Sequence, residues 1–420
     1  MKKLLLCVVS FLFLFSSIAG AEPIEEGQIL TLEQCLDIAL EKHPDLKSAK
    51  ATIEVKDSGV VQAETAWNPE VDLSSSYKRM SATNDGYDSY TSSVTVSQLI
   101  SDWGKTKSQV AVAELELEAS RYDYDDTVQD LLYDVKEAYF DLLRAMKEDE
   151  VAREAVKMYE HHLEQARGYY EVGKVSKIDV TTAEVDLSNA NLDLIQAQTS
   201  VKTARAALSN ALGYPDAPPY EIEDMLSWEK IDLTREDVLK SAMMTRPDLR
   251  SLETQKEQAQ ESVVLAEKDG SPTLSANAGY SWGDDHFTGD DELYVGISFE
   301  VSIYDGGLRK EKIRQAKAEL ERSSADLESF KQDVILEVDS AFLELKDSAE
   351  AIQTAEKTVD LAKENLELAS GRYEVGVGSP VEVTDATENY INARNTYYSS
   401  LYDYRSALAA LEKAIGGRLK

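Results

Sequence analysis

Residues Tyr373 to Ala386 read YEVGVGSPVEVTDA, and 203 positions earlier Tyr170 to Ala183 read YEVGKVSKIDVTTA. Each stretch is a glycine-bearing turn, then a helix-start signal, then the opening of a long amphipathic run. The same offset carries His43-Pro44-Asp45-Leu46 onto Arg246-Pro247-Asp248-Leu249 and Pro69 onto Pro272. It also carries Asp102 onto Asp305, Gly104 onto Gly307, Ala138 onto Ala341 and Gly213 onto Gly416. One register held without a gap over about 170 positions is no coincidence of residue types, so the chain is a tandem duplication.

Outside the repeat, the N-terminus carries the parts of a secretory signal in residues 1–21. Lys2 and Lys3 precede an apolar run from Leu4 to Phe15, and Ala19-Gly20-Ala21 forms a small-residue cleavage site. Read instead as a membrane anchor, the run falls short of the roughly 20 residues a spanning helix needs. Cleavage is expected after Ala21, and with no cysteine there, no N-terminal lipid anchor is expected. Cys7 leaves with the signal and Cys35 stays alone, which excludes an intrachain disulfide framework. The formal net charge of −34 becomes −36 once Lys2 and Lys3 are removed. Such acidity disfavours nucleic acid as a partner, and most of it reads as a solvated helical surface. No later stretch is apolar enough for a transmembrane helix. A β-barrel remains open to the chain, because barrel strands are only weakly hydrophobic.

Thr31-Leu-Glu-Gln34 is a capping box opening a helix to about Lys42, and Pro44 starts a second helix to about Ala66. Thr234 to Asp237 and Pro247 repeat this arrangement. After Pro69 and Pro272 the period changes to two. Leu274, Ala276, Ala278, Tyr280 and Trp282 alternate with small polar residues, and Leu293, Val295, Ile297, Phe299, Val301 and Ile303 do so on the return. Val71, Leu73 and Tyr77, then Val94 and Val96, show the same pattern more faintly. These runs have the length of tilted barrel strands, roughly 9–11 residues, although one face of a hairpin on a soluble core reads similarly. The longest helical stretches run from about Asp102 to Arg167 and from Asp305 to about Gly371, each on the order of 100 Å. Leu115, Leu131, Leu132, Val135, Ala138, Tyr139, Leu142 and Leu143 mark the apolar stripe of the first. A returning helix from Asp179 to Leu212 is about half as long. The expected fold is therefore mainly α with a small β part, built as duplicated long antiparallel helical hairpins beneath strand hairpins.

The expected boundaries are a first repeat over 22–212, with strands about 70–100 and a helical tip about 168–180. A Pro-rich connector at 213–230, irregular and packed around the middle of the helices, leads to a second repeat over 231–420. That repeat has strands about 273–304 and a tip about 371–383. Four strands are too few for a membrane barrel, which starts at about eight, and open strand edges are forbidden in lipid. If the strands span a membrane, several copies of the chain must pool them.

Two readings stand for the acids at the tips. Ser379-Pro380-Val-Glu382 and Ser176-Lys-Ile-Asp179 are helix starts, in which Glu382 and Asp179 satisfy orphan N–H groups. Glu382 and Asp385 also share a face at i, i+3 spacing and would stack as acidic rings around an oligomer axis. The loop 283–292 (GDDHFTGDDE) lacks EF-hand spacing and reads as a solvated hairpin loop. His43, His161, His162, His286 and Cys35 form no metal-ligand pattern. Neither a nucleophile elbow nor a phosphate-cradling loop is present. Nothing in the sequence points to an enzyme, a metal or a cofactor.

Over essentially all of the mature sequence the chain resembles the TolC-type outer-membrane efflux channels. The resemblance rests on the paired YEVG turns, the following IDV and VEVTDA segments, and Ser302-Ile-Tyr-Asp-Gly-Gly307 leading into the long helix. It implies a homotrimer in which each protomer gives four strands to one twelve-stranded transmembrane barrel, standing on a helical tunnel in the periplasm. It further implies a passive exit duct for efflux or type I secretion, opened by a periplasmic membrane-fusion adaptor and an inner-membrane efflux pump or ABC transporter. By the same resemblance Val172-Gly173 and Val375-Gly376 meet the adaptor, Glu382 and Asp385 ring the periplasmic entrance, and Asp179 and Tyr373 belong to a closing latch. Val295, Ile297 and Phe299 are candidates for the lipid face. One departure is Gly378, which stands where some members carry a latch arginine. The alternative from another class is a periplasmic or surface coiled-coil protein whose strands form a soluble subdomain.

Overall fold

The computed structural model describes residues 24–80, 87–229, 231, 233–284 and 291–418. The signal segment and the centre of the 283–292 loop lie outside the described residues. Chain order begins with β1 (Ile29–Leu30), α1 (Leu32–Lys42), α2 (Pro44–Glu64), β2 (Glu70–Met80), β3 (Tyr87–Ser101), α3 (Lys105–Glu171) and α4 (Lys177–Ala211). After β4 (Glu221–Ile222) the series repeats as α5 (Arg235–Thr245), α6 (Pro247–Lys268), β5 (Thr273–Asp284), β6 (Asp291–Glu300), α7 (Leu308–Glu374) and α8 (Pro380–Ala414).

Helix starts follow local chemistry. Thr31 Oγ1 accepts from Gln34 N at 3.2 Å, and Gln34 Oε1 accepts from Thr31 N at 3.0 Å, which satisfies two orphan donors reciprocally. Pro44 and Pro247 occupy first-turn positions, where a missing N–H costs nothing. The strand-to-helix turns are duplicated as well. Asp102 accepts from Gly104 N (3.0 Å) and Thr106 N (2.6 Å), and Asp305 accepts from Gly307 N and Arg309 N, both at 2.9 Å.

Helices α3 and α7 have 67 residues each, which makes them about 100 Å long. Helices α2 and α4 both pack on α3, α6 and α8 both pack on α7, and α3 also touches α6 and α8. The core is thickest where the shorter helices meet. Leu131, Val135, Leu142, Leu208 and Leu212 are buried in the first repeat, and Val334, Val338, Leu345, Leu411 and Ile415 in the second. These are the same positions 203 residues apart. There α4 ends on Gly213 at φ +68°, and α8 ends on Gly416 at φ +70°. A Cβ on Gly213 would lie 2.9 Å from His43 Cα, and one on Gly416 2.8 Å from Arg246 Cα. Both reasons, left-handed backbone and close approach, demand glycine.

The connector carries one short regular element in an otherwise irregular path. Glu221–Ile222 pair in parallel with Ile29–Leu30, and Tyr139 Oη donates to the Glu223 carbonyl at 2.8 Å. This small parallel pair fastens the segment before α1 and the chain's middle to α3.

The four long strands form one antiparallel sheet in the order β2-β3-β5-β6, so the two repeats share a sheet through β3 and β5. Register sorts its two faces cleanly. Val71, Val96, Ala278 and Val295 lie in one rung, and Leu73, Val94, Tyr280 and Leu293 in another on the same face. The opposite face holds Asp72, Thr95, Gly279 and Tyr294, then Ser74, Ser93, Ser281 and Glu292. Val301 and Ile303, expected to continue the return strand, lie beyond it. The last rung pairs Glu300 with Thr273, which follows Pro272, so no strand partner remains.

Substituting Gly213 or Gly416 by alanine is expected to lower the thermal midpoint, each costing more than about 1 kcal/mol. Gly59, inside α2 with open space where a Cβ would point, is expected to gain about 0.5–1 kcal/mol as alanine. Far-UV circular dichroism melts of the three variants compare these effects directly.

Candidate functional site at the helical tips

Both long hairpins turn back within a few residues, at Val172–Ser176 and at Val375–Ser379. Lys174 N donates to Tyr169 O at 2.8 Å, and Val377 N to Arg372 O at 2.9 Å. Gly173 (φ +72°) and Gly376 (φ +80°) reverse the chain in the manner of a helix C-cap. Val172 and Val375, beside those glycines, are 68% and 74% exposed. Ile178, Val377 and Val381 are also exposed, so each tip presents apolar side chains at its extremity.

The two helix starts that follow differ in how they use their acids. Asp179 accepts from both Ser176 N and Ser176 Oγ at 2.8 Å, which makes it a cap. Glu382 does not do this. Ser379 Oγ accepts from Glu382 N at 3.3 Å, while the Glu382 carboxylate faces Arg372 Nε at 3.4 Å. Arg372 also reaches the Val377 carbonyl at 3.4 Å, bracing the turn from within. Both partners of the Arg372–Glu382 pair are half exposed, so the pair adds at most about 1 kcal/mol. Asp385 is exposed one turn further along.

Tyr373 is 2% exposed and sits between two aromatic rings of the other repeat. His162 lies 5.4 Å away and Tyr169 5.3 Å away, ring centre to ring centre. The Tyr373 hydroxyl and His162 Nδ1 are both buried without a hydrogen-bond partner. Tyr169 Oη donates to the Glu374 carbonyl at 3.0 Å. Asp179 and Tyr373 are thus not hydrogen bonded to each other; the contact between the repeats is aromatic. Thr384 adds a hydrogen bond across the repeats to Asp186 at 3.2 Å.

Gly378 has a physical reason. A Cβ there would stand 2.9 Å from Tyr373 N and 3.0 Å from the Arg372 carbonyl carbon, so any side chain forces the turn to shift. Arg372, His162 and Tyr169 were not singled out as tip residues in the sequence. Their partners lie across a turn or in the other repeat, beyond the reach of a local pattern.

At the other end of the chain Val295, Ile297 and Phe299 are 81%, 74% and 60% exposed on the apolar sheet face. Among the described residues no group of histidine, cysteine or acidic side chains is placed to hold a metal ion. No helix among them is long and apolar enough to cross a membrane.

Comparison with known proteins agrees with this architecture. The family model described as "Outer membrane efflux protein" matches residues 35–214 and again 238–417. The outer membrane efflux protein BepC of Brucella suis is 24% identical over 69% of this chain, a match that spans 64% of BepC's own length. The outer membrane protein TolC of Vibrio cholerae is 26% identical over 76% of this chain and 73% of its own. In structure, the CmeC outer membrane channel of Campylobacter jejuni superposes with a TM-score of 0.80 at 20% identity, covering 93% of this chain and 86% of CmeC. The two family matches take in both hairpins, both tips and all four long strands, and the chain is a member of the outer membrane efflux protein family.

Proposed function

We propose that this chain is one protomer of a trimeric exit duct that crosses the outer membrane and extends into the periplasm. The observation that carries the reading is the sheet. It has two successive rungs on one face that are apolar across all four strands, two open edges, and a helical stalk of about 100 Å attached. TolC-type channels are trimers that work with an adaptor and an inner-membrane pump. Three copies would pool twelve strands, above the roughly eight at which membrane barrels begin. Every edge strand would then be paired, as lipid requires. On this reading Val295, Ile297 and Phe299 face lipid, and the Ser, Thr, Asn and Gly rungs face water.

At the far end the exposed Val172, Gly173, Val375 and Gly376 offer apolar knobs and bare backbone to an adaptor hairpin. The Glu382 and Asp385 carboxylates, brought together by three-fold symmetry, form the acidic entrance. Tyr373, packed between His162 and Tyr169, is the closing contact, and Asp179 holds its own helix start beside it. The duct performs no chemistry; energy and substrate choice come from the inner-membrane pump.

The entrance is tested in planar bilayers. Cation preference and block by multivalent cations are expected for the native channel, and Glu382→Gln with Asp385→Asn is expected to reduce both. Anion preference that the double variant leaves unchanged would rule out the acidic filter.

The tip contact has a pH dependence of calculable sign. Burial, with His161 acting the same way and Asp186 opposing, holds His162 below the ordinary histidine value. A depressed value means the folded tip disfavours the imidazolium, so the contact is at full strength above about pH 6.5 and weakens as pH falls below it. Amide protection factors for residues 160–175 and 369–378 are expected to drop between pH 7.5 and 5.5. His162→Phe is expected to remove that difference, and an unchanged pH response in the variant would refute the assignment.

A further inference from the structure

Midway along the lower stalk, α3, α4 and α8 line a cleft of about 570 Å³. Glu148 enters it from α3, Asp186 and Asp193 from α4, and Glu388 from α8. None of the four forms an ion pair among the described residues, and no lysine, arginine or histidine joins the lining. Arg394, beside it on α8, is committed to Glu154. Asp186 has a single hydrogen bond, from Thr384.

Two further side chains show that this is more than an acidic patch. Tyr159 lines the floor at 7% exposure, and its hydroxyl meets no hydrogen-bond partner among the described residues. Burial first, then the fields of Glu388, Asp186 and Asp193, push its phenol well above the ordinary tyrosine value. The hydroxyl therefore stays neutral with its lone pairs free. The Asn395 carbonyl oxygen, also in the lining, is buried without a partner. A buried oxygen left unmatched, as the Asn395 Oδ1 is, is costly unless something donates to it.

We propose that this cleft binds a linear organic polycation, with its ammonium groups against Asp193, Asp186 and Glu388 and its methylenes over Tyr159 and the alanines of α3 and α4. The four carboxylates and the Asn395 Oδ1 only accept hydrogen bonds, and a polyammonium chain supplies only donors. A bare metal ion fits less well, since no three acidic or imidazole groups approach closely enough to chelate one. Asp186 and Asp193 lie seven residues apart on one helix, about 10 Å along its axis. That spacing suits charges distributed on a flexible chain. The aromatic floor adds attraction for ammonium. The cleft lies above the Glu382–Asp385 pair and shares no residue with it, so the inference does not depend on the proposed entrance.

Spermidine titrated into the detergent-purified full-length protein, followed by calorimetry at low salt, tests this. Saturable binding near one equivalent per chain is expected. Asp193→Asn with Glu388→Gln is expected to weaken it more than about tenfold, and Tyr159→Phe to weaken it less. Asn395→Asp adds a carboxylate and is expected to tighten it, an outcome a misfolded variant would not give. Glu382→Gln with Asp385→Asn removes no group of the lining, although Asp385 stands one helical turn from Glu388, and is expected to weaken binding less than the cleft variant does. Absence of saturable binding, or an affinity lost only in the Glu382 and Asp385 variant, overturns the proposal.

Discussion

An unpaired strand edge cannot rest in hydrocarbon, and the rest of this structure follows from that constraint. The outer edges of β2 and β6 carry rows of backbone N–H and C=O groups, each costing several kcal/mol if left dry. The sheet they bound has an apolar face that asks for lipid, with rungs such as Val71–Val96–Ala278–Val295. A soluble hairpin subdomain would tuck that face against a core, yet here Val295 and Ile297 remain exposed. Completion by further copies of the same chain satisfies both demands at once. The long helices inherit the geometry, since whatever ring the strands close, the stalk must continue as staves.

Duplication supplied the parts, and small changes between the copies divided the labour. Tyr169 and Arg372 are equivalent positions, as are Asp179 and Glu382. In the first copy Tyr169 holds that position, and Asp179 folds back and caps its own helix. In the second, arginine replaces tyrosine, and Glu382 turns outward to meet it. The displaced aromatic is not lost, because Tyr169 packs against Tyr373 across the repeats. A similar exchange occurs where the shorter helices meet. His43 caps α2 with Nδ1, whereas Arg246 is 7% exposed and needs Asp248, Glu337 and the Ala414 carbonyl. Removing both carboxylates would strand a buried charge.

Much of the fold was legible because it is written in periods and punctuation. The 203-residue offset, the change of period after Pro69 and Pro272, and the capping signals at Thr31 and Thr234 are all local. Helix ends fall within a few residues of those signals, as at Lys177 for an expected start near Asp179. Other features have no local signature. Two residues, Glu221 and Ile222, have no period to read, so their pairing with Ile29 and Leu30 was invisible. Val301 and Ile303 keep the alternation of a strand but outrun their partner. The Arg372–Glu382 pair spans a turn, and His162 meets Tyr373 from the other repeat. Only the packed molecule brings such groups together.

Stability is distributed unevenly along the stalk, and on the proposed reading that unevenness matters for a duct that must open. Where the shorter helices meet, large side chains such as Tyr139, Leu142, Leu208, Ile352 and Leu411 are fully buried. At the tips the buried clusters shrink to Leu163, Ala166, Val180 and Ala183 in one hairpin, and Ala369, Tyr373, Val383 and Ala386 in the other. Alanine buries little area, so each tip gains far less from apolar contact than the middle does. Segments that open at low free energy are those with few buried apolar contacts. The tips meet that description while the middle does not, so local opening costs less at the lower ends of the hairpins. There Tyr373, buried against His162 and Tyr169, bridges the repeats, and its hydroxyl has no hydrogen bond to lose when that contact breaks.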